Sequence, residues 1–138
     1  MSLIKVDDHP KSTLVAGAIL VIDDDAAIRE ALTDILGLLT EAAVYTAANG
    51  YEGLKILKQR QRIALILLDM NMPVMNGEET YEEVQQIAPG IPVIISSSLS
   101  PAEARFRFGK HKLPTFLQKP YDISTLLDVV HAVAVTGA

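Results

Sequence analysis

Residues Leu65 to Pro73 read LILLDMNMP. Four successive aliphatic side chains fit a strand buried on both faces, which has no polar face to alternate with. A carboxylate then follows at Asp69, where burial would penalise its charged form. The two facts agree if the strand ends there and the charge sits at the rim of the core. Three other segments have the same shape. AILVID (18–23) runs into Asp24 and Asp25, IPVIIS (91–96) runs into Ser97 and Ser98, and TFLQ (115–118) runs into Lys119. AAVYTA (42–47) is a further strand candidate, punctuated by the turn signal Asn49-Gly50.

Between these runs the apolar period lengthens to that of a helix. Ile28, Ala31, Leu32, Ile35 and Leu39 form one stripe, and Tyr51, Leu54 and Leu57 a second. Tyr81, Val84 and Ile87 form a third, backed by a solvated face of Glu78, Glu79, Glu82 and Glu83 and ended by Pro89-Gly90. PAEARFRFG (101–109) carries a weaker signal, since Phe106 and Phe108 stand two apart where a stripe needs three or four. Ile123, Leu126, Leu127, Val130 and Val133 mark a terminal amphipathic helix. Five strands alternating with five helices predict a flavodoxin-like, doubly wound α/β fold. It has three layers and a parallel sheet in the order 2-1-3-4-5. Residues 1–16 show no period and read as a flexible lead-in or linker, leaving the domain over 17–138.

Composition narrows the function. The chain has 138 residues, 49% of them hydrophobic, a net charge of −5 and no cysteine. That length suits one domain with one core and leaves no room for the ATP-binding unit of a kinase. The chain is read as a stand-alone domain or as a piece of a longer protein. No apolar run is long enough to cross a bilayer, and no signal-peptide pattern opens the sequence. A cytoplasmic location without membrane insertion is expected. Disulfides, thiolate metal sites and cysteine nucleophiles are excluded. The acidic balance argues against direct contact with nucleic acid, which needs a basic patch.

In an open parallel sheet, ligands bind beyond the carboxyl ends of the strands, where the strand order reverses. The order 2-1-3-4-5 makes strands one and three neighbours, so Asp23 and Asp24 converge on Asp69. Ser97 and Lys119 follow strands four and five at the same edge. Converging carboxylates repel, and Mg2+ removes the conflict because it takes hard oxygen ligands and retains water. Two or three aspartates, a main-chain carbonyl and water would leave positions for a phosphoryl oxygen. Lys119 adds a charge and Ser97 a hydroxyl. The set suits transfer of a phosphoryl group to a carboxylate by positioning and charge neutralisation. Asp25 reads as a helix-start residue, Ser96 as structural, and Met70, Met72 and Met75 as loop packing. The three histidines, His9 among them, have no metal spacing and read as surface residues.

ILVIDDD (19–25), LILLDMNMPVMNG (65–77), PVIISSS (92–98) and FLQKPY (116–121) occur in that order. Together they resemble the receiver domain of two-component response regulators, from about Gly17 to Val135. The resemblance implies that Asp69 is the phosphoacceptor, with a phosphohistidine on a histidine kinase or histidine phosphotransfer domain as donor. It implies that Asp23, Asp24, Asp69 and the main-chain carbonyl of Asn71 hold Mg2+. It implies that Ser97 moves to the phosphoryl group, that Phe116 is an aromatic switch turning inward with it, and that Lys119 bonds the phosphoryl group. The Lys119-Pro120 peptide matches one that is usually cis in the family.

Two departures stand out. Phe116 replaces a frequent tyrosine, so a switch there works by ring packing alone, and Ser98 adds a hydroxyl near the site. FRFGKHKLPTFLQKPY (106–121) also resembles receivers at the C-terminus of hybrid sensor histidine kinases. The family often docks partners, or a second copy, on the face of its fourth helix, fifth strand and fifth helix. Arg105, Arg107, Lys110, His111 and Lys112 fall there and read as a solvated loop ahead of a docking surface. The domain is expected to assist its own phosphorylation and dephosphorylation rather than to act as an enzyme. One alternative is a degenerate receiver used for binding or dimerisation, which would require lost site residues. Another is an aspartate-nucleophile phosphatase resembling the haloacid-dehalogenase type. That motif needs a second Asp where Asn71 stands.

Overall fold

Aliphatic side chains on both faces of Ala18–Ile22 leave that strand no exposed side, and it takes an interior position in the sheet. The computed structural model describes residues 17–59, 62–109 and 113–136. The lead-in with His9, and Lys110, His111 and Lys112 of the basic stretch, lie outside the described residues. The strands are β1 (Ala18–Ile22), β2 (Ala43–Ala47), β3 (Ile63–Asp69), β4 (Val93–Ser97) and β5 (Thr115–Gln118). The helices are α1 (Ala26–Leu39), α2 (Gly50–Gln59), α3 (Gly77–Ile87), α4 (Pro101–Phe108) and α5 (Ile123–Thr136). All strand pairs are parallel, in the order β2-β1-β3-β4-β5. The fold is the flavodoxin-like, doubly wound α/β sandwich.

Strand alternation builds two cores. Leu20, Ile22, Ile66, Leu68 and Ile95 face Leu54 and Leu57 of α2, Val84 of α3, and Ala104 and Phe108 of α4. Ile19, Val21, Leu65, Leu67 and Ile94 face Leu32 and Leu36 of α1 and Leu126, Val130 and Val133 of α5. The central strands β1, β3 and β4 are therefore buried on both sides, as unalternated aliphatic runs require. β2 and β5, at the edges, are partly exposed. Several stripe residues fall on the margin and are exposed, namely Ala31, Tyr51, Ile87 and Ile123. The two phenylalanines of α4 divide between its faces, Phe108 being 4% exposed and Phe106 85%.

Local chemistry sets the helix starts at the functional edge. Asp25 caps α1, accepting the N–H groups of Ala27 and Ile28. Asn76 and Glu79 form a reciprocal capping box on α3, and Ser100 and Glu103 another on α4, followed by Pro101 at the first helical position. α3 starts hard against the end of β3. A side chain at Gly77 would stand 2.5 Å from Met70 Cα and 2.6 Å from the Asp69 carbonyl oxygen, so only glycine fits there. Among the described residues, no helix is long and apolar enough to cross a membrane.

Candidate functional site

The chain leaves β1 for β2 on one side and returns through β3 on the other, so the order reverses between β1 and β3. Register places Val21 beside Leu67 and Ile22 beside Leu68, and the strands end together at Asp23 and Asp69. Both carboxylates are buried, at 3% and 6% exposure, while Asp24 is exposed. One carboxylate oxygen from each of Asp23, Asp24 and Asp69 lies within 4.8 Å of the others. Lys119, just past β5, donates to Asp23 Oδ2 at 2.9 Å and stands 3.6 Å from Asp69 Oδ1. One ammonium thus serves two carboxylates.

Burial pushes the Asp69 carboxyl up to about 6. That value is the balance of burial and the Asp23 and Asp24 charges, which raise it, against the Lys119 charge and the main chain of Asn71, which lower it. Burial would lower the Lys119 ammonium, but the Asp23 hydrogen bond and the Asp69 charge overcome that and hold it above its ordinary value. The site therefore holds more negative charge than its own lysine neutralises. That excess, presented by oxygen ligands alone, fits a hard divalent cation.

The remaining residues singled out in the sequence lie around this cluster. Ser97 ends β4, is fully buried, and its Oγ accepts the Leu99 N–H at 3.1 Å, while its carbonyl accepts the Lys119 N–H at 2.8 Å. Ser96 is paired with Asp69 in the sheet, and its buried Oγ has no hydrogen-bond partner among the described residues. Phe116 lies on β5, half-buried against the α2–α4 core. The Lys119–Pro120 peptide bond is cis. Met70 and Met72 are buried, and Met75 packs against the same core. Asn71 is exposed at the mouth of the site.

Three features were not legible in the sequence. Arg29 Nη1 donates to the Asp23 carbonyl at 2.7 Å, fixing the β1–α1 loop. Arg107 pairs with Glu78 and reaches Asn71, joining α4 to the loop after Asp69. That pairing takes Glu78 out of the solvated face. Val74, in the same loop, has φ 70°, with the Met75 N–H donating to the Pro73 carbonyl at 2.7 Å. This is a γ-turn of the strained, positive-φ kind, at a branched residue that rarely accepts it.

The arrangement is a doubly wound sheet with an acid cluster at its switch point and a lysine reaching in from past β5. Residues 19–131 match the response regulator receiver domain, and the chain belongs to that family. The transcriptional regulatory protein GlrR of Escherichia coli (strain K12) is 32% identical over 113 residues, covering 81% of this chain and 25% of that protein. This chain thus spans about a quarter of that regulator's length. The chemotaxis protein CheY of Thermotoga maritima is 26% identical over 116 residues, covering 84% of this chain and 96% of CheY. A crystal structure of a response regulator receiver domain protein from Clostridium thermocellum superposes with a TM-score of 0.78 at 26% identity. It covers 87% of this chain and 95% of that one. Receiver domains serve two-component signalling and interact with histidine kinases or phosphotransfer partners.

Proposed function

We propose that the chain is a phosphorelay receiver in which Asp69 accepts a phosphoryl group, in the presence of Mg2+, from a phosphohistidine on a histidine kinase or histidine phosphotransfer domain. One observation carries this reading: three carboxylates with oxygens within 4.8 Å of one another at the strand ends, and the Lys119 ammonium 2.9 and 3.6 Å from two of those carboxylates. Asp23, Asp24, Asp69 and the main-chain carbonyl of Asn71 would hold the ion. When bound, it supplies the positive charge that lets three carboxylates and a phosphoryl group share one site.

Asp69 is the nucleophile. Its oxygen forms the new O–P bond, the P–N bond to the donor imidazole breaks, and that electron pair stays on the imidazole nitrogen. Lys119 is placed to bond one phosphoryl oxygen, and the Ser97 hydroxyl to donate to another. Burial holds the Asp69 carboxyl up at about 6, and the charge of a bound cation would favour its ionised, nucleophilic form. Phe116 then follows Ser97 inward and changes the surface by ring packing. Ile28, Ala31 and Ile35 of α1, with Pro120 and Tyr121, line an apolar groove of about 310 Å³ that reaches Lys119, a surface suited to the donor. The exposed Phe106 on α4 suits the readout face, for a partner or a second copy. On this reading the domain works in the cytoplasm as a phosphoacceptor that assists its own turnover, not as an enzyme on another substrate.

The test is intact-protein mass after incubation with acetyl phosphate, with and without Mg2+, for the wild type and Asp69→Asn. One Mg2+-dependent phosphoryl adduct on the wild type alone is expected. An adduct that persists in Asp69→Asn would contradict the assignment.

A further inference from the structure

Arg107 is the penultimate residue of α4, yet its guanidinium spans the gap to α3 and to the loop after Asp69. Nε and Nη2 donate to the two carboxylate oxygens of Glu78 at 2.6 and 3.0 Å, and Nη1 donates to Asn71 Oδ1 at 3.4 Å. The two-pronged pairing with Glu78 is rigid for a guanidinium and unavailable to an ammonium. It leaves the third nitrogen aimed at Asn71, two residues past Asp69 in the acceptor loop. α4 buries only Ala104 and Phe108, so few apolar contacts hold it. The fork ties this helix to α3 and to the acceptor loop, beside the edge-on contact of Phe108 with Tyr81.

We infer that Arg107 is a positioning residue for the site. Anchored by Glu78, it holds Asn71, and through Asn71 the main-chain oxygen that the acceptor loop offers to a divalent cation. The inference rests on the Mg2+ site proposed above. Coupling of this kind is reciprocal, so a cation in the site tightens the loop against α4. A simple charge effect would have the opposite sign. A guanidinium near a cation site repels the cation, and removing it for that reason alone would tighten binding.

The experiment is a calorimetric titration with Mg2+ of the wild type, Arg107→Ala, Arg107→Lys, Asn71→Ala and the Arg107→Ala/Asn71→Ala double variant. Arg107→Ala is expected to weaken Mg2+ binding by about tenfold, the lower end of what loss of an outer-shell support costs. Arg107→Lys, which keeps the charge and loses the fork, should weaken it as well. In the Asn71→Ala background the Arg107→Ala loss should vanish, because the two residues act as one unit. Unchanged or tighter binding by Arg107→Ala, wild-type affinity in Arg107→Lys, or fully additive losses in the double variant would overturn the inference. A wild type that binds no Mg2+ would instead remove the cation site itself, and this inference with it.

Discussion

Asp69 ends β3 with its carboxyl buried between one ammonium and two other carboxylates, and that setting has a cost in stability. In the unfolded chain it returns to its ordinary value of 3.8; folded, it stands at about 6. Between those values the folded protein holds a proton that the unfolded chain has released, so stability falls as pH rises through the window. Asp69→Asn should therefore stabilise the fold by about 3 kcal/mol at pH 7. The gain should fade as pH falls from about 6 to 3.8 and be absent below that, and denaturant titrations on either side of the window check it. An equal gain at both pH values would show that the charge is not its origin. Lys119 pulls the Asp69 carboxyl down, so Lys119→Ala should push it above about 6, a shift that carbon NMR of the carboxyl reads directly. At this scale the sequence was readable where partners are close along the chain. Asp25 caps residues two and three ahead of it, as its place before an apolar stripe indicates. Arg29 and Arg107 gave no such signal, because their partners lie 6, 29 and 36 residues away.

The elements carry the site by holding strand ends and helix starts at fixed distances. Gly77 lets α3 begin against the backbone that ends at Asp69, and a methyl there would meet backbone atoms that have no room to move. Gly77→Ala is expected to destabilise by about 1–3 kcal/mol and to slow phosphorylation, both measured on the same preparation. Gly37, within α1 and clear of any neighbour within 4 Å, is the contrasting case. Gly37→Ala should stabilise by about 0.5–1 kcal/mol, seen as a raised denaturation midpoint. The strands were legible because buried parallel strands are unbroken aliphatic runs. α4 was least legible. Its residues Phe106 and Phe108 point to opposite faces, and its stability comes from its capping box and Pro101 more than from an apolar stripe. The turn at Val74 was not legible at all, since a branched side chain argues against a positive φ.

For the whole molecule, the two cores flanking one sheet make the acid edge a consequence of topology. The strand order brings together residues 46 and 50 positions apart, Asp69 with Asp23 and Lys119; the alternation of elements indicates the parallel sheet, and 2-1-3-4-5 is a common order for one of five strands. A cation that binds only the folded state adds to its stability. At a hundredfold excess over its Kd, Mg2+ should contribute about 2.7 kcal/mol and raise the Tm by roughly 10 °C. Asp23→Asn should lose most of that rise in a thermal melt, and an equal rise in both proteins would place the ion elsewhere. The most direct measurement is the identity of the phosphorylated residue. After acetyl phosphate and Mg2+, borohydride reduces an aspartyl phosphate to homoserine, which peptide mass mapping locates. Homoserine at position 69 alone is the predicted result; homoserine at another aspartate, or none in a protein that carries the phosphoryl adduct, would contradict the assignment of Asp69.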